Sequence, residues 1–358
     1  MNAQTKTRFH PLRVTRVDRE TPDAVAITLA PPPEAAELFR FVPGQYLTLR
    51  RIVDGEEQRR SYSICAPAGD ALRIGVKRVE GGAFSTWATR DLRPGDTVEA
   101  MPPEGRFTLT HDPAAPPRTV LGIAAGSGIT PILSIAASLL AKEPHSRFVL
   151  LYGNRSAADI MFRTAIEELK DRHLDRFAVV HVLSREKHEL AALHGRLDAE
   201  RLRALLPGLV APTELDAAYI CGPDGLAAAA NEALTALGIA PIRVRIEHFG
   251  TGAPRRAVPL PADTPAAATA EITLDGVTRE VPMAAGETVL EAGLRAGMDL
   301  PWSCKGGMCC TCRAKVTEGE VEMALNYSLQ SWETEAGYVL TCQSRPKGDR
   351  VVVDYDAA

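Results

Sequence analysis

The sequence predicts a multidomain chain: an antiparallel β-barrel, then a doubly wound α/β domain, then a small C-terminal α+β unit. Three observations carry this. Short strands broken by Gly and Pro fill the first hundred residues, strands and helices then alternate, and four cysteines crowd between Cys304 and Cys312. A length of 358 residues, 45% hydrophobic and 24% charged, suits two or three cores rather than one.

In the first part, strands are expected at 12–19, 24–29, 45–51, 58–65, 72–79 and 97–101, with one helix at 83–90. At Arg118 the texture changes. Strands at 119–124, 147–152, 177–183, 218–221 and 242–246 alternate with helices at 131–141, 159–172, 199–205 and 226–237, the pattern of a parallel sheet covered on both faces. Residues 251–270 are rich in Pro and Ala without an apolar period and read as a linker. The last unit offers a hairpin, a short helix near 288–296 ending at Gly297, the cysteine loop and a strand at 351–355. The expected domains are therefore 1–114, 115–250 and 271–358, joined by the linker at 251–270.

A formal net charge of -4 leaves no basic footprint for nucleic acid or an anionic membrane. The first eight residues hold no apolar signal core, and the most apolar stretch, 119–140, is interrupted by Gly126, Ser127, Gly128 and Pro131. A cytoplasmic chain is expected. Seven cysteines, an odd number, agree with a reducing compartment better than with a disulfide framework.

Cys304, Cys309 and Cys312 form C-x4-C-x2-C, and Cys342 follows 30 residues later. This is the plant-type [2Fe–2S] spacing, in which thiolates hold two bridged irons. Gly306 and Gly307 allow the tight turn that brings N–H groups toward the sulfides. A structural zinc site would show two paired knuckles, and a Rieske centre would need histidines, of which the nearest in sequence is His248. Taking Cys310 instead of Cys309 would give spacings of five and one, so Cys309 is the expected ligand.

Further motifs point to nucleotide cofactors. Arg60-Ser61-Tyr62-Ser63 lies on an expected strand, and Gly82-Ala83-Phe84-Ser85-Thr86 opens the one helix of the barrel, where N–H groups and Arg60 can receive a pyrophosphate. Gly126-Ser127-Gly128-Ile129-Thr130-Pro131 joins a strand to a helix, with Pro131 where a dinucleotide fingerprint has its third glycine. Cys221-Gly222-Pro223 ends a later strand at its carboxyl edge, where open α/β sheets bind ligands. Arg155, in Asn154-Arg155-Ser156, and Ser184-Arg185 offer cations and a hydroxyl to an adenosine 2′-phosphate, so NADPH is expected over NADH.

Together these residues resemble the ferredoxin–NADP reductase superfamily, and the order barrel, nucleotide domain, ferredoxin unit resembles oxygenase reductases over nearly the whole chain. The resemblance implies FAD rather than FMN, and a β-grasp fold for the last unit. It implies that Tyr62 packs on the flavin ring and Ser63 reaches its N5 edge. Val76 and Lys77 would follow the ribityl and phosphate chain, with Gly82, Phe84, Ser85 and Thr86 at the pyrophosphate. Gly126, Gly128, Thr130 and Pro131, with Cys221, Gly222 and Pro223, would hold the nicotinamide nucleotide, and Phe249 would cover the flavin. Ser63 and Cys221 are the expected catalytic residues. Cys310 stands where that family carries a small residue such as Gly or Ser. Within the oxygenase reductases, Cys304–Lys315, Gly319–Met323, Asn326–Leu329 and Val339–Ser344 are similar to the reductases of phenylacetyl-CoA epoxidases. A separate oxygenase partner is implied. Hydride arrives as an electron pair and a cluster takes one electron, so a flavin must stand between them. A diaphorase with a small-molecule acceptor leaves the ferredoxin unit without a purpose, and a redox sensor leaves the hydride-accepting half unexplained.

Overall fold

A computed structural model describes residues 8–53, 55–111, 116–249 and 266–357. They fall into two compact units: His10–Gln58 with Tyr62–Phe249, and a second that holds Phe9, Arg59–Ser61 and everything described after 265.

Strands β1 (His10–Thr21), β2 (Ala24–Ala30), β3 (Tyr46–Val53), β4 (Glu56–Ser63), β5 (Leu72–Lys77) and β6 (Thr97–Ala100) form one sheet in the order β4-β3-β6-β1-β2-β5. A bridge between Ile64, just past β4, and Ile74 of β5 closes it. Alternation sends Leu12, Val14, Val25, Ile27, Leu47, Leu49 and Ile74 into a common core. Gly44, at φ +95°, is required there, because a Cβ would stand 2.0 Å from the Phe107 carbonyl oxygen. Helix α1 (Ala83–Arg90) covers the sheet with Phe84 and Ala88.

The parallel sheet contains β7 (Thr119–Ala125), β8 (Arg147–Asn154), β9 (Phe177–Leu183), β10 (Leu215–Gly222) and β11 (Val244–His248), in the order β11-β10-β7-β8-β9. Helices α2 (Ile129–Lys142), α3 (Arg163–Arg172), α4 (Ala199–Leu205) and α5 (Asp224–Ala236) connect the strands. Strand order reverses between β7 and β10, which opens a ligand crevice at their carboxyl ends. Helix α3 begins at Arg163 rather than at the expected 159, because Phe162 adopts φ 57° and Asp159 is held by Arg155 and Ser156. Ala24, Ala26, Cys65 and Phe107 of the barrel share a core with Ile129, Ile132 and Phe148 of the parallel sheet and its helix. The barrel and the parallel-sheet domain thus pack on a shared apolar cluster.

The second unit has strands β12 (Ala266–Leu274), β13 (Val277–Ala284), β14 (Arg313–Glu318), β15 (Val321–Met323), β16 (Tyr338–Leu340), β17 (Ser344–Pro346) and β18 (Arg350–Asp354), with helices α6 (Val289–Arg295) and α7 (Ser331–Glu335). Its main sheet runs β13-β12-β18-β14-β16, with β12 and β18 parallel, and holds α6 through Ile272, Val281, Val289, Leu290 and Val353: a β-grasp. A capping box between Thr288 and Glu291 starts α6, and Gly297 at φ 75° ends it. One expectation needs correction. Residues 266–270 pair with β13 and β18 and are strand, not linker; the remainder of the expected linker lies outside the described residues. Among the described residues, no helix is long and apolar enough to cross a membrane.

Candidate active site and iron–sulfur centre

The crevice is built from backbone that tolerates no bulk. Gly128 meets the end of β10 so closely that a Cβ would lie 2.1 Å from the Cys221 carbonyl oxygen. This packs the Gly126–Gly128 turn against Cys221-Gly222, bringing together two predicted motifs that are 95 residues apart in sequence. Gly126 takes φ +55° with open space beside it, and Tyr152 donates to its carbonyl oxygen at 2.9 Å. Helix α2 continues directly from this turn with no side-chain cap, and the Ile129 N–H donates to the Gly126 and Ser127 carbonyl oxygens. Thr130 is buried, donates to the Ser127 carbonyl at 3.0 Å and lies where a Cβ on Gly75 of β5 would clash.

Beside it, β4 presents Tyr62 half-buried against Phe84, with ring centroids 5.8 Å apart. Helix α1 starts at Gly82, also uncapped by a side chain. The Ser85 hydroxyl is spent on that turn, accepting from the Val79 N–H and donating to the Gly82 carbonyl, so only its backbone is left for a phosphate. Val76 points into the barrel core and can reach a ligand only through its main chain. Lys77 Nζ lies 3.6 Å from Asp23. Phe249 packs on the core shared by barrel and parallel sheet.

Ser63, Cys221 and Glu247 converge from three strands. Ser63 Oγ donates to Glu247 Oε2 at 3.1 Å, and Cys221 Sγ faces the same oxygen at 3.9 Å. The β10–β11 register pairs Cys221 with Glu247, which puts both side chains on one face of the sheet. Burial pushes the Glu247 carboxyl up to about 8, and burial together with that carboxyl pushes the Cys221 thiol well above its ordinary range. Cys221 is therefore a neutral thiol at neutral pH, not a nucleophile. Glu247 was not singled out from sequence; its position two residues before Phe249, at a strand end, was the available signal.

At the outer end of the same sheet edge, Arg155 is already engaged by Asp159 at 2.6 Å and Asp23 at 3.2 Å. Arg185 is exposed, and its N–H donates to the Arg155 carbonyl oxygen at 2.8 Å. A parallel bridge joins Leu183 to His194, and Arg196, two residues further on, is also exposed.

In the second unit the cysteines form two pairs. Cys304 and Cys309 lie within hydrogen-bonding reach of each other, as do Cys312 and Cys342. The Gly306 N–H donates to Cys304 Sγ at 3.3 Å, and the Gln343 amide to Cys342 Sγ at 3.6 Å. Cys310 stands apart: at φ 59°, it turns its thiol to Ser328 Oγ at 3.0 Å.

Comparison with known proteins bears on the whole chain. An oxidoreductase FAD-binding domain family matches residues 11–109, an oxidoreductase NAD-binding domain family 123–232, and a 2Fe-2S iron-sulfur cluster binding domain family 272–347. The chain is 44% identical to a component of the 1,2-phenylacetyl-CoA epoxidase of Escherichia coli (strain K12), over 98% of this chain and 99% of that one. The chain belongs to the oxygenase reductases of the ferredoxin–NADP reductase superfamily. It is also 34% identical to the ferredoxin reductase component of 3-ketosteroid-9-alpha-monooxygenase from Rhodococcus rhodochrous, over 96% of each chain. Among solved structures, phthalate dioxygenase reductase matches 99% of this chain and 100% of its own, at 25% identity and a TM-score of 0.61.

The residues of this oxygenase reductase fit the groups its family carries. Two uncapped helix starts suit the phosphates of FAD and of a nicotinamide nucleotide. Among the described residues, no three His, Cys, Asp or Glu side chains gather where a single ion could be held. The two neighbouring cysteine pairs would instead hold a binuclear cluster through four thiolates.

Glu247 supplies a prediction. Its carboxyl ionises at about 8 in the fold, against an ordinary value of 4.5. The folded chain therefore keeps a proton that the unfolded chain has released across that interval, and stability from this group, full below 4.5, is lost as pH rises through about 8. Glu247→Gln should remove that slope. Melting curves of the cofactor-free protein should show the variant gaining on the parent as pH rises from about 5 to about 9; a constant difference would mean that Glu247 is ionised throughout.

Proposed function

We propose that this chain is the cytoplasmic reductase of a phenylacetyl-CoA epoxidase, taking hydride from NADPH and delivering electrons one at a time to a separate oxygenase component. The observation that carries this reading is the 44% identity over essentially the full length of both chains to the Escherichia coli protein. Bound FAD accepts the electron pair of a hydride and releases it singly, and the cluster relays single electrons.

The chain's own residues set the geometry of that exchange. Tyr62 and Phe249 flank the flavin, and the Gly126–Pro131 turn and Cys221-Gly222 seat the nicotinamide. Glu247, protonated at neutral pH, holds the Ser63 hydroxyl beside the flavin edge. Cys304 with Cys309, and Cys312 with Cys342, hold the cluster. Arg185 and Arg196 receive the 2′-phosphate; Arg155, neutralised by Asp159 and Asp23, braces the loop instead.

Reconstitution tests the reading. The chain, the purified epoxidase oxygenase component, NADPH and phenylacetyl-CoA should give coupled turnover, and a steroid hydroxylase oxygenase should not. Arg185→Ala should raise KM for NADPH by about tenfold or more and leave NADH little changed. Equal losses for both nucleotides would assign Arg185 to structure, and a parent enzyme that prefers NADH would end the 2′-phosphate reading.

A further inference from the structure

We infer that electrons leave this chain through an apolar, acid-flanked ledge at residues 322–335, and that the oxygenase component docks there with an apolar contact ringed by Lys and Arg. The inference rests on the oxygenase-reductase reading above and adds where the partner binds and what chemistry it presents.

Leu325, Tyr327 and Trp332 are 44%, 44% and 58% exposed, and among the described residues of the second unit the only other large apolar side chain so exposed is Val277. Scattered apolar residues on a surface need no explanation, but three within eight residues do. They are held out by a braced backbone. Asn326 Oδ1 accepts from the Ser328 and Leu329 N–H groups, Leu329 is buried, and a capping box between Gln330 and Glu333 starts α7. Glu333 is itself buried against Arg313 at 3.0 Å.

The same segment lies directly on the cysteine loop. Tyr327 N–H donates to the Gly307 carbonyl at 3.1 Å, Ser328 Oγ donates to the same oxygen at 3.3 Å, and Ala324 N–H donates to the Gln343 carbonyl at 3.0 Å. A Cβ on Gly307 would stand 2.8 Å from the Leu325 carbonyl oxygen. The exposed ledge is therefore one hydrogen bond away from the loop whose thiols hold the cluster, which makes it a short way out for an electron.

Charge commits the partner's chemistry. Residues 317–344 contain five Glu and no Lys, Arg or His. Glu318 and Glu320 pair with Arg350 and Lys347, and Glu333 with Arg313. Glu322 and Glu335 remain, both exposed and without an ion pair among the described residues. Arg345, opposite Glu322 in the ladder, directs its Nε to the Gly286 carbonyl, and Lys305 Nζ lies over the Trp302 ring at 4.0 Å. A partner with basic groups around an apolar centre complements this face.

The test uses the full, cofactor-loaded chain, the purified oxygenase component, and cytochrome c as a lysine-ringed one-electron probe. Two double variants, Tyr327→Ala with Trp332→Ala and Glu322→Lys with Glu335→Lys, are compared with Val277→Ala. Each double variant should weaken oxygenase affinity, measured by titration, and kcat/KM for cytochrome c by about tenfold or more. The cluster spectrum, ferricyanide reduction and the Val277→Ala control should be unchanged, and the charge-reversal loss should shrink as salt rises. If both double variants keep oxygenase affinity and cytochrome c kcat/KM within about twofold of the parent, or if Val277→Ala loses as much, the ledge is not the exit. If the cytochrome c losses appear but the parent fails to bind the epoxidase oxygenase, the ledge stands and the choice of oxygenase falls.

Discussion

Cys309→Ser should abolish the [2Fe–2S] spectrum and cut oxygenase turnover by roughly a hundredfold or more, while FAD stays bound and NAD(P)H still reduces ferricyanide. The pairing of Cys309 with Cys304, and of Cys312 with Cys342, is the reason. Losing one thiolate leaves an iron under-coordinated, whereas the hydride-accepting residues lie in the other compact unit. Cys310→Ser should behave oppositely. The Cys310 thiol faces Ser328 Oγ at 3.0 Å, and a serine hydroxyl can keep that bond, so the cluster should persist. A Cys310→Ser protein without iron, beside a Cys309→Ser protein with it, would exchange the two assignments.

Dividing the chain should divide the chemistry. A protein ending at Phe249 keeps Tyr62, Ser63, the Gly126–Pro131 turn, Cys221 and Glu247, all within the first unit. It should bind FAD and reduce ferricyanide at close to the parental rate, yet give no oxygenase turnover above background. The separate piece from Ala266 onward should carry the cluster and restore only part of the turnover when added back. Removing the covalent connection lowers the concentration of one part at the other from millimolar values to whatever is added. Full restoration at micromolar concentrations would mean that the two parts bind each other tightly without the tether.

Much of this was legible in the residues. The cysteine spacing forecast the four thiols that pair, and helix 83–90 and strand 177–183 fall where apolar periodicity put them. The glycines of the 126–131 turn read as a nucleotide motif; that Gly128 packs against the Cys221 carbonyl oxygen comes only from the fold. What escaped depends on partners distant in sequence. Glu247 reads as an ordinary strand-end carboxylate until the register sets it beside Cys221 and the fold brings Ser63 from 184 residues away. The ion pair between Arg155 and Asp23, 132 residues earlier, is equally invisible in the sequence. Ala266–Ala270 has weak strand propensity, and it is the two flanking strands that make it extended. Cys310 occupies a left-handed backbone position at φ 59° that favours glycine, a conformation that cannot be read from the sequence.

The order of transfer is tested most directly by mixing the NADPH-reduced full chain with oxidised oxygenase component, without oxygen, and following both chromophores in time. The cluster is expected to reoxidise first, with the flavin following as it refills the cluster. A flavin that reoxidises while the cluster stays reduced would show that electrons leave by another door, and the sequence from nucleotide to flavin to cluster to oxygenase would be wrong.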